Sequence, residues 1–202
     1  MRKRDRSTEH VHELLPAERG VGPLLRRDYW GVIRNCRYTP VQVLQTVRRY
    51  FPAFAPSELV VFERRGGNDR PLQLGDDLDV HIVQAGHYHV RVTHLAPQSL
   101  TVSTESGHPE AGRITFGSYR NRRGDVVFHI RSQARSSSRV FRAGFRATGE
   151  VMQTSTWTDF IDRVAFAFGD GVVGFVHAET TPCADEPFEH AAHEPTFVAT
   201  GG

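Results

Sequence analysis

The sequence predicts an α+β fold in which a seven-stranded antiparallel sheet wraps around one long C-terminal helix. Between residues 59 and 132, apolar and polar residues alternate, a pattern typical of strands with one buried and one wet face. Between Thr154 and Phe168, the large apolar residues recur three or four positions apart, which places them on one helical face. That face needs an apolar surface to lie on, and the dry side of the sheet supplies it. The helical stripe consists of Trp157, Phe160, Ile161, Val164, Ala165 and Phe168.

The segment before the sheet predicts one strand and a helical insertion. We expect residues 1–20 to be a flexible arm with a short helix around residues 11–15, and residues 28–34 to form the first strand. Thr39 and Pro40 are typical of a helix start, because threonine caps free N–H groups and proline fits the first helical position. Pro52 ends this helix and leaves room for one more turn before the second strand.

Six further strands follow, separated by short turns that favour antiparallel pairing. The first of them is Leu59 to Glu63. The apolar positions of the other five are Leu78, Val80 and Ile82; Tyr88, Val90 and Val92; Leu100 and Val102; Ile114 and Phe116; Val126, Phe128 and Ile130. Residues 140–147 predict a helical segment, and the sequence leaves open whether it is continuous with the Thr154 helix. We therefore divide the chain into a flexible arm (1–20), one folded domain (21–175) and an acidic disordered tail (176–202).

Composition excludes several classes of protein. The 202 residues are 39% hydrophobic with a formal net charge of +2, which is typical of a globular domain and gives no bias toward nucleic acid. No apolar run approaches the roughly 20 residues of a membrane-spanning helix. Because the two cysteines, Cys36 and Cys183, do not suggest a disulfide framework, we expect a cytoplasmic protein. We expect it to be a monomer or a dimer.

The segment Gly107 to Gly112, reading GHPEAG, contains the first candidate for chemistry. On an extended chain, His108 and Glu110 point the same way, so Glu110 can orient His108 as a general acid or base. The alternative, which we favour, is a connection between strands in which both side chains satisfy backbone groups.

Two other groups of residues are candidates for ligand contacts. Arg131 and Arg135 can pair with a carboxylate or phosphate of a ligand, or Arg131 can pair with an acidic neighbour across the sheet. Gln153 and Trp157 lie one helical turn apart, and Trp157 can line a pocket or simply belong to the core.

The eleven histidines do not predict a metal site. His87 and His89 can share a strand face, and His190 and His193 lie close together in the tail. Neither pair reaches the three or four convergent ligands that zinc sites need. We therefore expect no metal and no cofactor.

The order of elements resembles the helix-grip fold of the Bet v 1 and START-like proteins. Over residues 15–169, the sequence motifs resemble those of an uncharacterised domain-of-unknown-function family numbered nineteen-ninety, also called the UPF0548-like family. That resemblance implies a cavity between sheet and long helix, but no catalytic residues. The motifs are RDYWGVI (27–33), LAPQSLTVST (95–104), GHPEAGRITFG (107–117), FHIRSQARSS (128–137) and MQTSTW (152–157).

Three functions follow from these observations. In the first, the protein binds a small apolar or amphipathic molecule in that cavity. In the second, it is a cyclase or hydratase in which His108 is the base, Glu110 its orienting partner and Arg131 the anion-stabilising group. In the third, it is an interaction module whose own side chains fill the cavity and whose acidic tail binds a partner. The ligand contacts expected for the first are Trp157, Gln153, Phe160, Phe116 and Phe128.

Overall fold

The computed structural model describes residues 12–67 and 70–183 of the chain. A short 3-10 turn at Ala17–Arg19 precedes the first strand. The elements that follow are β1 (Val21–Val32), α1 (Pro40–Arg49), α2 (Phe51–Phe54), β2 (Val60–Arg64), β3 (Asp77–Ile82), β4 (Gly86–Ala96), β5 (Ser99–Thr104), β6 (Glu110–Arg120), β7 (Val126–Ser136), α3 (Arg139–Phe168) and β8 (His177–Pro182).

The strands form one antiparallel sheet in the order β2-β3-β4-β5-β6-β7-β1-β8. Strands β2 to β7 form the predicted meander. The first strand closes the sheet by pairing with β7, so that Asp28 lies opposite Arg131. This long-range pairing sets the edge of the sheet against which β8 is added.

The predicted boundaries of the folded domain need correction at both ends. The sheet has eight strands because the first residues of the predicted disordered tail pair with β1, for example Glu179 with Asp28. Composition misses this strand because its partner on β1 supplies the backbone hydrogen bonds whatever the side chains are. Residues 184–202, the rest of that tail, lie outside the described residues. Within the predicted arm, Leu14 bridges Glu105 instead of forming a helix.

The side of the sheet that faces α3, called here the inner face, is apolar. Side chains that alternate along the strands are buried there, as the period of two predicts. They include Leu78, Val80, Val90, Val92, Leu100, Val102, Phe116, Phe128 and Ile130. The opposite, outer face is polar but less wet than expected, because cross-strand hydrogen bonds such as Thr101 to Thr115 (2.9 Å) crowd it.

The helical insertion between β1 and β2 begins with the predicted cap. The Thr39 hydroxyl accepts a hydrogen bond from the backbone N–H of Gln42, and the Gln42 side chain accepts one from the Thr39 N–H. The buried face of α1 packs against β6 and β5. The insertion therefore lies on the inner face of the sheet, beside α3.

The C-terminal helix is a single element of 30 residues, which settles whether the two predicted helical segments are continuous. All six residues of its predicted apolar stripe are buried. Phe160 is at the centre of an aromatic cluster, with ring centroids 5.4 Å from Phe116 and 5.5 Å from Phe51. Each such buried ring stabilises the fold by about 1.5–3 kcal/mol.

None of the described helices could cross a lipid bilayer, including the long α3, whose apolar stretches are interrupted by polar and charged residues.

Candidate functional site

A cavity of about 530 Å³ lies between the inner face of the sheet and the middle of α3. Every strand from β2 to β7 contributes to its wall, and α3 covers it from residue 152 to residue 157. Most of the lining side chains are aliphatic or aromatic. They include Val60, Phe62, Val80, Ile82, Val90, Val102, Ile114, Phe116, Ala134, Met152 and Trp157.

The cavity opens to solvent between the β3–β4 turn and the first turn of α3. Gln84 and Ala85, which are exposed residues of that turn, line the cavity together with Val140, whose side chain is 82% exposed. Tyr88 holds the turn by donating a hydrogen bond from its hydroxyl to the Ala85 carbonyl oxygen (2.5 Å).

One end of the cavity contains a buried polar network that joins β1, β6 and α3. Glu110 accepts a hydrogen bond from Arg27 at Oε1 (3.1 Å) and one from the Gln153 amide at Oε2 (2.6 Å). Tyr29, two residues after Arg27 on β1, is also buried on this face. Because strand alternation sends Arg27, Tyr29 and Glu110 to the inner face, the network ties the middle of α3 to the sheet.

The Glu110 carboxylate is only partly compensated for its burial. Burial raises the pKa of Glu110, and the opposing effects of Arg27 and the Gln153 hydrogen bond do not cancel it. Both carboxylate oxygens are occupied by these two partners.

His108 lies beside this network and also lines the cavity. Its Nδ1 atom is 3.0 Å from both the backbone nitrogen and the carbonyl oxygen of Glu110. These contacts join His108 to the backbone of Glu110, whereas the predicted orienting group was the Glu110 side chain. Burial lowers the pKa of His108 to about 4, and the ring of Tyr88 packs edge-on against it at 5.3 Å. The imidazole is therefore neutral near pH 7.

Two glycines shape the segment that carries His108 and Glu110. Gly107 and Gly112 both have positive φ angles, +93° and +153°. At Gly112, a Cβ atom would come within 2.2 Å of the Gln133 carbonyl oxygen on β7, so only glycine fits at this position of β6. Thr104 also bonds to the backbone at Gly112 (2.9 Å), which fixes the start of β6.

The structure brings together five of the predicted site residues. His108, Glu110, Gln153, Trp157 and Phe116 all line the cavity. The indole N–H of Trp157 and the Oε1 atom of Gln153 are buried and have no hydrogen-bond partner among the described residues.

Three other predicted residues lie elsewhere. Phe160 and Phe128 are fully buried in the core but are not part of the cavity wall. Arg131 is on the outer face of the sheet, where its Nε donates to Asp28 (2.6 Å). Arg131 alternates with cavity-lining Ser132, and the sheet separates it from His108. The predicted convergence of His108, Glu110 and Arg131 is therefore wrong, and the alternative of a cross-strand acidic partner is correct. Arg135 also contacts the backbone of Gly22 and does not reach the cavity.

Sequence reasoning missed Arg27, the cation that actually faces Glu110. It stands directly before Asp28 in the RDYW motif, so alternation put one of the two on each face. Nothing local says which face is inner, because the buried face of β1 carries Arg27 and Tyr29 instead of purely apolar residues.

Among the described residues, no three His, Cys, Asp or Glu side chains are arranged to hold a metal ion. His190 and His193 lie outside the described part of the chain.

No protein-family model and no curated protein sequence matches the chain. Many solved structures are similar to it, and three of them serve as examples. A truncated norcoclaurine synthase from Thalictrum flavum has 12% identity and a TM-score of 0.51, over 73% of this chain and 95% of that one. The KanY protein has 11% identity and a TM-score of 0.53, over 73% and 99%. A major latex-like protein 151 from Panax ginseng has 10% identity and a TM-score of 0.50, over 73% and 99%.

These similar structures belong to the Bet v 1-like superfamily, so the chain has a Bet v 1-like helix-grip fold. The predicted fold class is confirmed. At this level of sequence identity the similarity defines the architecture alone.

Proposed function

We propose that this protein binds a small apolar or amphipathic molecule in the cavity between the sheet and α3. The observation that carries the proposal is the cavity of about 530 Å³, which lies within the size range of sites for small organic ligands. Its wall is mostly apolar and its polar groups are gathered at one end. Such a wall favours a ligand with a hydrophobic body and one polar end.

The position of the cavity supports the same proposal. A void of this size costs stability because its lining atoms lose packing contacts, and most protein interiors are close-packed. The mouth at Gln84, Ala85 and Val140 gives a ligand an entry path. The interaction-module hypothesis requires a filled cavity and is less consistent with this arrangement.

Two paired variants test the proposal. Ile114 and Thr115 are adjacent half-buried residues of β6, but only Ile114 lines the cavity. Ile114→Trp fills the cavity, whereas Thr115→Trp places the same ring on the outer face. With the neutral fluorescent ketone prodan as probe, we expect wild type and Thr115→Trp to bind alike and Ile114→Trp to bind about tenfold more weakly or worse.

Native mass spectrometry of protein purified from its own source complements this test. We expect a bound small molecule in the wild type that is absent from Ile114→Trp. If prodan binds equally to both tryptophan variants, or does not bind to the wild type, the cavity is not a ligand site.

Four further predictions about the protein remain predictions. They are membership of the UPF0548-like family, a cytoplasmic location, a monomeric or dimeric state, and a catalytic role for His108 or Glu110. The catalytic hypothesis has lost its anion-stabilising Arg131, so no observation favours it as a second function.

A further inference from the structure

We propose that the cavity selects an uncharged ligand with an oxygen acceptor, such as a ketone or ester carbonyl, and that the Nε2–H of His108 donates the hydrogen bond to it. This inference rests on the proposed function, because it names the chemical class of ligand for the same cavity. It assigns His108 the role of a donor, in place of the general base that the sequence suggests.

The tautomer of His108 follows from its contact with the backbone. The Nδ1 atom lies 3.0 Å from both the backbone nitrogen and the carbonyl oxygen of Glu110. The peptide N–H keeps its proton at any ordinary pH, and this N–H points at Nδ1. A proton on Nδ1 could reach the carbonyl oxygen but would face the fixed peptide hydrogen, which favours Nδ1 as the acceptor. Neutral imidazole carries one proton, which therefore sits on Nε2. No hydrogen bond to Nε2 is formed by the described residues, although His108 lines the cavity.

The charges around the cavity disfavour an ionic ligand. Apart from His108, which is neutral, Glu110 and Arg113 are the only acidic and basic residues among the described residues that line it. Glu110 is bonded to Arg27 and Gln153, and strand alternation turns the Arg113 side chain to the outer face, where it bonds to Gln133. Among the described side chains, the cations nearest to an anion in the cavity are therefore already bonded to Glu110 or turned to the outer face.

The low pKa of His108 is consistent with a neutral donor over a wide pH range. Burial lowers its pKa to about 4, so the ring stays neutral in any ordinary cellular compartment. A neutral donor suits a neutral acceptor, because neither partner pays the desolvation cost of an ion.

A set of three probes of the same shape tests the inference. 2-Acetylnaphthalene carries the carbonyl, 2-isopropenylnaphthalene replaces its oxygen with a CH₂ group, and 2-naphthoate carries a charge. Their affinities are measured by calorimetry for wild type, His108→Leu and His108→Gln. The glutamine amide can replace the Nε2–H donor, whereas leucine cannot.

We expect His108→Leu to reduce the preference for the ketone over the alkene by about 3- to 10-fold, which is the contribution of one neutral hydrogen bond. His108→Gln should restore much of that preference, and naphthoate should bind most weakly to wild type. The ratio of two ligands across two proteins cancels differences in ligand solubility and general effects of the substitution.

The outcomes separate the two proposals. If neither the ketone nor the alkene binds to wild type, the proposed function fails. If both bind and their ratio is the same in wild type and His108→Leu, the donor role fails while the ligand site stands. Strong naphthoate binding would overturn the selection for an uncharged ligand.

The tautomer can be measured without any ligand or variant. In ¹⁵N-histidine-labelled wild type at pH 7, the two-bond ¹⁵N–¹H correlations of the His108 ring should show an unprotonated Nδ1 and a protonated Nε2. Adding 2-acetylnaphthalene should shift the Nε2 resonance. A ring protonated at Nδ1 would contradict the inference.

Discussion

Two buried ionic clusters lie back to back on β1 and differ in how well they compensate a carboxylate. On the inner face, Glu110 faces one cation, Arg27, and one neutral amide, Gln153. On the outer face, Asp28 accepts from His129 (2.7 Å) and Arg131 (2.6 Å) and also contacts Arg26. Arg27 and Asp28 are consecutive residues, so a single step along the strand separates the two environments.

The pKa values of the two carboxyl groups move in opposite directions. Burial raises the pKa of Glu110, and its partners do not offset that effect. Burial also acts to raise the pKa of Asp28, but the hydrogen bonds from His129 and Arg131 outweigh it, and the pKa is lowered. The number of donors and cations around a buried carboxylate therefore decides which form the fold favours. The outer cluster therefore stabilises the ionised form of Asp28, whereas the inner cluster leaves the ionised form of Glu110 disfavoured beside the cavity.

The largest expected effect comes from breaking the inner pair. Glu110→Ala leaves the Arg27 guanidinium buried without a carboxylate, and we expect it to lower the free energy of unfolding by about 3–5 kcal/mol. Urea denaturation at pH 7 measures this. The double variant Arg27→Met with Glu110→Leu removes both charges and should recover most of the loss. A double variant as unstable as the single one would show that packing, not charge, dominates this site.

The second-largest effect is expected from His108, whose contribution to stability depends on pH differently from those of Glu110 and Asp28. Its pKa in the folded state is about 4, against an ordinary value of 6.5, so the unfolded chain takes up the proton first. The stability contributed by neutral His108 is complete above pH 6.5 and is lost as the pH falls toward 4, up to about 3 kcal/mol. Urea denaturation at several pH values should show that His108→Gln is less sensitive to acid than wild type over this window. Equal slopes would contradict the buried neutral histidine.

The outer cluster should respond less strongly to a conservative change. Asp28→Asn keeps the shape but removes the charge that holds Arg131 and His129, and we expect a loss of about 1–3 kcal/mol at pH 7. Because the pKa of Asp28 is lowered, its contribution is present above the ordinary aspartate pKa and disappears as the pH falls through the folded-state value. The difference between wild type and variant should therefore shrink in acid. A difference that stays constant down to pH 2 would exclude the ionic explanation.

An exposed pair provides the lower reference for these comparisons. Arg163 and Glu58 approach to 3.4 Å, but their side chains are 42% and 60% exposed. Arg163→Ala should change the free energy of unfolding by less than about 0.5 kcal/mol. A loss as large as that of Asp28→Asn would mean that burial does not distinguish the clusters.

The sequence predicted most of the secondary structure because local patterns carry that information. The alternation in β3 and β7 and the helical stripe from Trp157 to Phe168 are properties of neighbouring residues. The eighth strand was missed because its sequence is polar, and only its pairing with β1 makes it a strand.

The candidate site was predicted only in part, for the same reason. His108 and Glu110 were identified from their spacing, and both line the cavity. The catalytic hypothesis included Arg131 because a guanidinium can stabilise an anion. Arg131 precedes the cavity-lining Ser132 on β7, so its side chain lies on the opposite face of the sheet. Phe128 and Phe160 were correctly predicted to be buried, yet a periodic pattern cannot distinguish a core residue from one that borders a void.

By itself, then, the amino-acid sequence determined that one side of a meandering sheet is apolar and that a long amphipathic helix covers it. Tertiary structure alone decided that Arg27 and not Arg131 faces Glu110, that the Glu110 backbone and not its carboxylate holds His108, and that a space remains between helix and sheet. The physical reason is that periodicity fixes the face on which a side chain lies, whereas partners and voids depend on how distant segments pack together.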